Sequence, residues 1–245
     1  MIRSIIPYKI KASRNGIADL WNAGMVSNTT FSAQNDIPLC PTTATSIPKC
    51  LIGFDEAKTF HNRQLKAGHA EYHVNAFIHF YIDDQKFDGK RNSIWLYPEK
   101  ALTIINHFSG IIAPDFSTNV DFPDPLKRWN IYRMCAFGAW IGAMKIPVIS
   151  NVRWGGEDTW AYCFDGNPHC SMIAVGSVAS GARLIKNRKL FEDGLLYMAE
   201  YLKPHTVLVY GSANYPCFNV LKADGIHIVS FSSKTSLAYE RGRQK

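Results

Sequence analysis

Asp83 and Asp84 stand together at the end of the apolar run Phe77-Ile78-His79-Phe80-Tyr81-Ile82. Asp115 closes a second run, Gly110-Ile111-Ile112-Ala113-Pro114, and Asn151 and Arg153 close a third that begins at Ile146. Carboxylates so placed suit general acid–base work or the activation of a water. Together with Asp55, which follows Leu51-Ile52-Gly53-Phe54, they could equally supply oxygen ligands to a divalent cation. Other apolar runs end at Ser177, at Tyr210 with Ser212, and at Ser230 with Ser232. Loops are polar in any protein, but so many carboxylate-terminated runs exceed what that alone gives. In parallel sheets ligands sit beyond the carboxyl ends of the strands, so a functional cleft is expected along that edge.

Continuous apolar runs of this length read as strands buried on both faces. Helical stretches separate them. One starts near Pro98, with Ala101, Ile104, Ile105 and Phe108 as its stripe. A second runs from Asp124 to Lys145, its core face read as Leu126, Trp129, Arg133, Phe137, Trp140, Ile141 and Met144. A third runs from about Ala182 to Leu202, with Leu184, Ile185, Phe191, Leu195, Met198 and Leu202 as its stripe, and a short one covers Phe218 to Ala223. This alternation predicts an α/β fold: a mostly parallel, doubly wound open sheet of about six or seven strands with helices on both faces. A closed barrel would need eight clean strand–helix units, which the chain does not show. Residues 1–49, rich in turn formers and with a possible short helix from Ile17 to Trp21, are expected to be an irregular extension packed on the main domain. Residues 50–233 are read as a single α/β domain of catalytic type and 234–245 as a basic tail.

The chain has 245 residues, 47% of them hydrophobic and 13% aromatic, which supports a sizeable core and argues against disorder. No apolar stretch approaches the roughly 18–20 residues of a membrane span, and the apolar start is too short for a signal peptide. A cytoplasmic protein without a membrane partner is expected. The six cysteines lack any Cys-x-x-Cys pair and read as free thiols; a metal site on Cys163, His169 and Cys170 would lack a fourth ligand at ordinary spacing. The net charge of +7 favours a polyanionic partner. Arg3, Lys9, Lys11 and Arg14 at one end, and Lys234, Arg241, Arg243 and Lys245 at the other, are either solubilising tails or phosphate contacts. Gly176 to Gly181, followed by Arg183, is a weak candidate for a phosphate-cradling loop. Phe87, Phe116, Trp154, Trp160, Tyr210 and Tyr215 fall in predicted loops, where they either stack on a nucleobase or anchor the loops to the body.

One ordered series carries a family resemblance: His79-Phe80-Tyr81-Ile82-Asp83-Asp84, Pro114-Asp115-Phe116-Ser117, Asn130-Ile131-Tyr132-Arg133 with Gly138-Ala139-Trp140, Val148 to Trp154, Phe164-Asp165-Gly166 and Val209-Tyr210-Gly211. Over roughly residues 50 to 232 the chain resembles a family of bacterial, phage and plasmid proteins known as domain of unknown function 4417. The resemblance implies carriage by mobile elements, and hence DNA transactions or phage–host conflict. Where that family usually has a second Arg after the Tyr-Arg pair, this chain has Cys135, which puts a shared phosphate ligand in doubt.

The function expected from these features is a nucleic-acid-acting hydrolase, most concretely a DNA glycosylase-like enzyme that excises a modified or unmodified nucleobase, using no metal or other cofactor. Asp83 or Asp84 would serve the water, with Asp115 as a second candidate. Phe116, Trp154 or Tyr210 would stack on the base and Asn151 would read its edge. Arg153 and the Ser230, Ser232, Ser233 and Lys234 loop would hold the DNA backbone. The alternatives are a metal-dependent nuclease or phosphoesterase using Asp55, Asp83, Asp84 and Asp115, and a non-enzymatic DNA- or protein-binding factor in the replication control of mobile elements.

Overall fold

The computed structural model of the protein describes residues 19, 21–178, 180, 182, 184–234 and 236. The possible helix at Ile17, the terminal basic residues Arg3, Lys9, Lys11, Arg14, Arg241, Arg243 and Lys245, and the loop residues Gly181 and Arg183 lie outside the described residues. Among the described residues there are seven strands and seven α-helices, in the order β1 (Leu51–Gly53), α1 (Phe54–Lys66), β2 (Val74–His79), α2 (Gln85–Asp88), α3 (Pro98–Ile105), β3 (Phe108–Ile112), α4 (Asp124–Ala143), β4 (Val148–Asn151), α5 (Trp160–Cys163), β5 (Met172–Gly176), α6 (Ile185–Leu202), β6 (Thr206–Tyr210), α7 (Pro216–Ala223) and β7 (His227–Phe231). All six strand pairings are parallel, and the strand order is β1-β2-β3-β4-β5-β6-β7. The open, parallel α/β sheet is the one expected from the run pattern.

Its winding follows from the strand order. Two-sided winding needs a point where the order reverses, and here each right-handed crossover steps one strand in the same direction, which puts every helix on one face. The core divides accordingly. Ile78, Ile111, Val148, Ile173, Val175, Val207 and Val209 pack with the buried helix residues, among them Phe54, Ile105, Phe137, Leu195 and Phe218. Their strand neighbours Phe77, Ile112, Ile149, Ala174, Leu208 and Tyr210 form a second cluster that contains no helical residue. That inner face is covered because the sheet curls on itself: the rings of Tyr81, just past β2, and Tyr210 of β6 stack at 5.1 Å. The curl brings the two edge strands near one another without pairing them. Lys234, after β7, reaches Asp55 and Glu56 at the start of α1 (3.2 and 3.1 Å).

The other end of the curled sheet is covered by the segment before β1. Thr43 N–H donates to the carbonyl of Val148, and Thr42 Oγ1 donates to the carbonyl of Met172 and accepts from Ser150 N–H. This segment corrects the expected face of α4. Leu126, Trp129 and Met144 are exposed, while Lys127, Asn130, Met134, Cys135, Ala136, Gly138 and Ala139 are buried. Two partners cover this helix: the sheet, and the chain around Cys40 and Pro41, which lies against Gly138 and Gly142. A second partner widens and rotates the buried stripe. On α6, Ile185 at 83% exposure and the preceding Leu184 at 55% likewise leave the stripe, which begins at Phe191. Cys135 is 2% exposed, so a core thiol occupies the position noted as departing from the family. Among the described residues no helix is long and apolar enough to cross a membrane.

Candidate functional site

At the carboxyl ends of β2, β3, β4 and β5 lies a groove of two lobes. The smaller, about 520 Å³, is lined by Tyr81, Ile82, Asp83, Asp84, Gln85, Ser117, Phe122 and Val178, with Asp115, Asn119 and Arg153. The larger, about 670 Å³, shares Asp115, Asn119 and Arg153. Its remaining wall combines apolar side chains (Val120, Val152, Trp154, Leu184, Leu190, Phe191) with polar ones (Thr118, Asp121, Ser180, Asn187). The ridge between the lobes is a buried ion pair.

Asp115 is 5% exposed and lies three residues beyond β3. Its Oδ2 accepts from Arg153 Nη1 at 2.6 Å and its Oδ1 from Asn151 Nδ2 at 3.0 Å. The Asn151 amide is oriented in turn by the Tyr81 hydroxyl, which donates to its Oδ1 (2.8 Å), and by the Pro114 carbonyl, which accepts from its Nδ2 (2.9 Å). Burial pushes the Tyr81 phenol well above its ordinary value, the Asp115 charge adds to that and Arg153 opposes it. Tyr81 therefore stays protonated and serves as a donor. Arg153 Nε also donates to Thr118 Oγ1 (3.3 Å). Together these bonds set the carboxylate and the guanidinium in one geometry.

Asp84 is held differently. Its Oδ2 accepts from the Ser117 N–H and its Oδ1 from the Ser117 hydroxyl, both at 3.1 Å. Burial raises its carboxyl above the ordinary Asp value. The Ser117 bonds pull the other way, Asp115 raises it further and Arg153 lowers it, and the net effect is upward. The Ser117 loop is pinned from α4: Asn130 Nδ2 donates to the Ser117 carbonyl, and Arg133 bonds both Asn130 Oδ1 (2.6 Å) and Asp88 Oδ2 (2.8 Å) while lying over the Phe116 ring. Asp83 is exposed at the rim, its Oδ1 accepting from Gln85 N–H. Both aspartates line the groove because β2 ends at His79, so the two-residue alternation of a strand no longer sends them to opposite sides.

The structure thus brings Asp83, Asp84, Asp115, Asn151, Arg153 and Trp154 together, with Asn151 beneath the ridge. The other predicted contacts lie elsewhere. Phe116 is fully buried between Arg133 and Phe87, and Phe87 is fully buried as well, so burial explains both rings. Tyr210 is enclosed by His79 and Tyr81 inside the curl. Ser230 and Ser232 are exposed at the β7 edge, and the Lys234 ammonium is engaged by Asp55 and Glu56. Ser230, Ser232 and Lys234 are not among the residues that line the two lobes, although the curl brings β7 near β1 and α1. Ser117 and Asn187 line the groove without being expected there. Ser117 stands two residues from Asp115 in the same series, and nothing near Asn187 marks it; Phe191, at 3% exposure, is the core residue that its helical spacing implies. Gly176 and Ser180 of the proposed phosphate loop line the larger lobe.

Among the described residues no three His, Cys, Asp or Glu side chains gather as metal donors. Asp55 is taken up by Lys86 and Lys234 and Asp115 by Arg153, so the four carboxylates of the metal reading do not assemble. Cys163 is buried and Cys170 exposed, so that set does not form either. All six cysteines are free thiols.

Two features of this region carry measurable consequences. His79 is 2% exposed, and its Nδ1 accepts from the Tyr81 N–H. Burial lowers its pKa to about 3 from 6.5, the Lys234 charge adds to this and Asp55 opposes it. Because the unfolded chain binds this proton more readily, the stabilising contribution is complete above the unfolded value and is lost as pH falls from 6.5 toward 3. Denaturant titrations across that window are expected to show the loss, and His79→Gln to flatten it. Gly194 of α6 packs on the Trp154 indole, where a Cβ would meet Nε1 and Cδ1. Alanine gains ~1 kcal/mol in helix propensity, but overpacking costs typically ~1–3 kcal/mol. Gly194→Ala is therefore expected to be destabilised on balance in urea unfolding, and to bind less in the larger lobe because Trp154 must move.

Fold and site define a class: an α/β protein whose singly wound, curled parallel sheet opens at its carboxyl mouth onto a groove of carboxylates and aromatic rings. The chain belongs to the family described as domain of unknown function DUF4417, whose sequence model matches residues 29–232. It is similar to the Gene 1 protein of Mycobacterium phage D29, 32% identical over 150 residues that cover 60% of this chain and 53% of that protein. It is also similar to the Gene 1 protein of Mycobacterium phage L5, 32% identical over 139 residues that cover 56% of this chain and 58% of that one. The matched part spans little more than half the length of these curated relatives. No solved structure matches the chain.

Proposed function

We propose that this protein is a hydrolase of N-glycosidic bonds, excising a nucleobase from DNA inside the cell in the setting of phage–host conflict. The observation that carries the reading is the pairing of lobes: a carboxylate poised by Ser117 and a fixed Asp115–Arg153 pair in one, an aromatic-walled space for a planar ring in the next. With the base against Trp154, the sugar lies over the ridge. Asp115 and Asp84 would then stabilise the positive charge that develops on the sugar as the bond to the base breaks. Asp84 takes a proton from the attacking water as its oxygen bonds to the anomeric carbon, and the electron pair of the broken bond leaves with the base. The net charge of +7 supports a DNA partner held on the outer surface, and the phage relatives support the setting.

The test is to incubate the protein with phage and host DNA, then score free bases by mass spectrometry and strand breaks before and after alkali. Free base with breaks only after alkali is the expected result. Direct strand breaks abolished by EDTA would indicate a nuclease instead, and binding without either product a non-enzymatic factor.

A further inference from the structure

We infer that the groove selects a heterocycle carrying a positive charge, such as an N-alkylated purine or a pyridinium-type ring. The proposal builds on the N-glycosidase reading for its chemistry. The described side chains lining the two lobes include four carboxylates, Asp83, Asp84, Asp115 and Asp121, and one cation, Arg153. That cation is already neutralised by Asp115 at 2.6 Å and bound to Thr118 as well. An acidic groove in a chain of net charge +7 is a local arrangement of charge, opposite in sign to the whole.

This balance decides between substrates. A phosphate entering either lobe would meet the like charges of Asp83, Asp84, Asp115 and Asp121, and like charges juxtaposed at an interface are strongly disfavoured. Phosphates of a polymer would therefore stay outside while base and sugar enter. A flat cation, by contrast, gains from the carboxylates and from the partly exposed ring of Trp154, since aromatic rings attract cations. Trp154 is held from behind: it stacks on the buried Phe191 at 5.5 Å and packs against Phe164 at 5.9 Å. The chemistry agrees. When a cationic ring leaves, the electron pair of the broken C–N bond neutralises its nitrogen, so the base departs without a proton from the protein. Water supplies the new C–O bond and its proton passes to Asp84. A neutral base would need a general acid, and the described titratable groups of the larger lobe are two carboxylates and a guanidinium.

Calorimetric titration with matched pairs tests the proposal: 1-methylnicotinamide against nicotinamide, and 7-methylguanosine in its cationic form against guanosine, with guanosine monophosphate as the anionic probe. The cation of each pair is expected to bind at least roughly tenfold tighter, a difference of ~1.4 kcal/mol. The preference should shrink in high salt and in Asp121→Asn, an exposed substitution that spares the ridge. Equal binding within each pair, or tighter binding of the monophosphate, would overturn it. The two readings fail separately. Cation preference without base release from any N-glycoside keeps this inference and removes the hydrolase. Base release from neutral nucleosides with no cation preference keeps the hydrolase and removes this inference.

Discussion

Arg153→Met is expected to lower the stability of the folded protein by roughly 3–5 kcal/mol, the usual cost of leaving one member of a buried ion pair behind. Asp115 is 5% exposed, and its only other described side-chain partner is Asn151. Removing the guanidinium strands a carboxylate at the ridge between the two lobes. The double variant Arg153→Met with Asp115→Leu removes both charges and is expected to recover much of the loss, because the pair's desolvation cost disappears with it. Guanidinium unfolding of the wild type, both single variants and the double gives the coupling directly. A loss under about 1 kcal/mol for the single variant would mean a solvent-screened pair of the kind found on surfaces, and the groove would not have a dry floor.

Asp84→Asn is expected to separate stability from activity. The folded pKa of Asp84 lies above its ordinary value, chiefly through burial. The folded state therefore holds this proton more tightly than the unfolded chain does. The penalty for keeping Asp84 ionised is present above the folded pKa and is relieved as pH falls through it. Asparagine is neutral throughout and still offers an oxygen to Ser117. At neutral pH the variant should be at least as stable as the wild type, with any advantage disappearing in acid, while base release falls by roughly 10²–10⁴-fold. Stability bought back by removing a residue is the mark of a group retained for function. Unfolding curves at neutral and acidic pH, read beside the rate of base release, check both halves.

Much of the architecture was legible in the chain. The seven runs near Leu51, Phe77, Gly110, Val148, Met172, Thr206 and His227 are all strands, and Pro98, Asp124 and Pro204 punctuate the helices as their chemistry requires. The strand order was not legible, because apolar runs say that a strand is buried and not which neighbour covers it. The apolar runs overshoot the strands by two or three residues at Phe80-Tyr81 and Ala113-Pro114: these residues remain buried after the ladder stops, and hydropathy follows burial rather than hydrogen bonding. Asp83, Asp84, Asp115 and Arg153 share one groove because the ends of β2, β3 and β4 adjoin in any sheet that keeps these strands in sequence. Distant contributors failed for the same reason in reverse. Tyr210 and Lys234 sit at ends of strands as polar as the others, yet the curl turns one inward and pairs the other with Asp55.

The rate of base release by wild type, Asp84→Asn and Ser230→Ala, measured side by side on the same DNA, bears most directly on where the chemistry happens. Asp84 lines the groove, while Ser230 lies exposed on β7 outside it. The expected result is a loss of roughly 10²–10⁴-fold for Asp84→Asn, with Ser230→Ala indistinguishable from wild type. Unchanged release by Asp84→Asn, or a comparable loss in Ser230→Ala, would contradict the assignment of the reaction to the groove between Asp84 and Arg153.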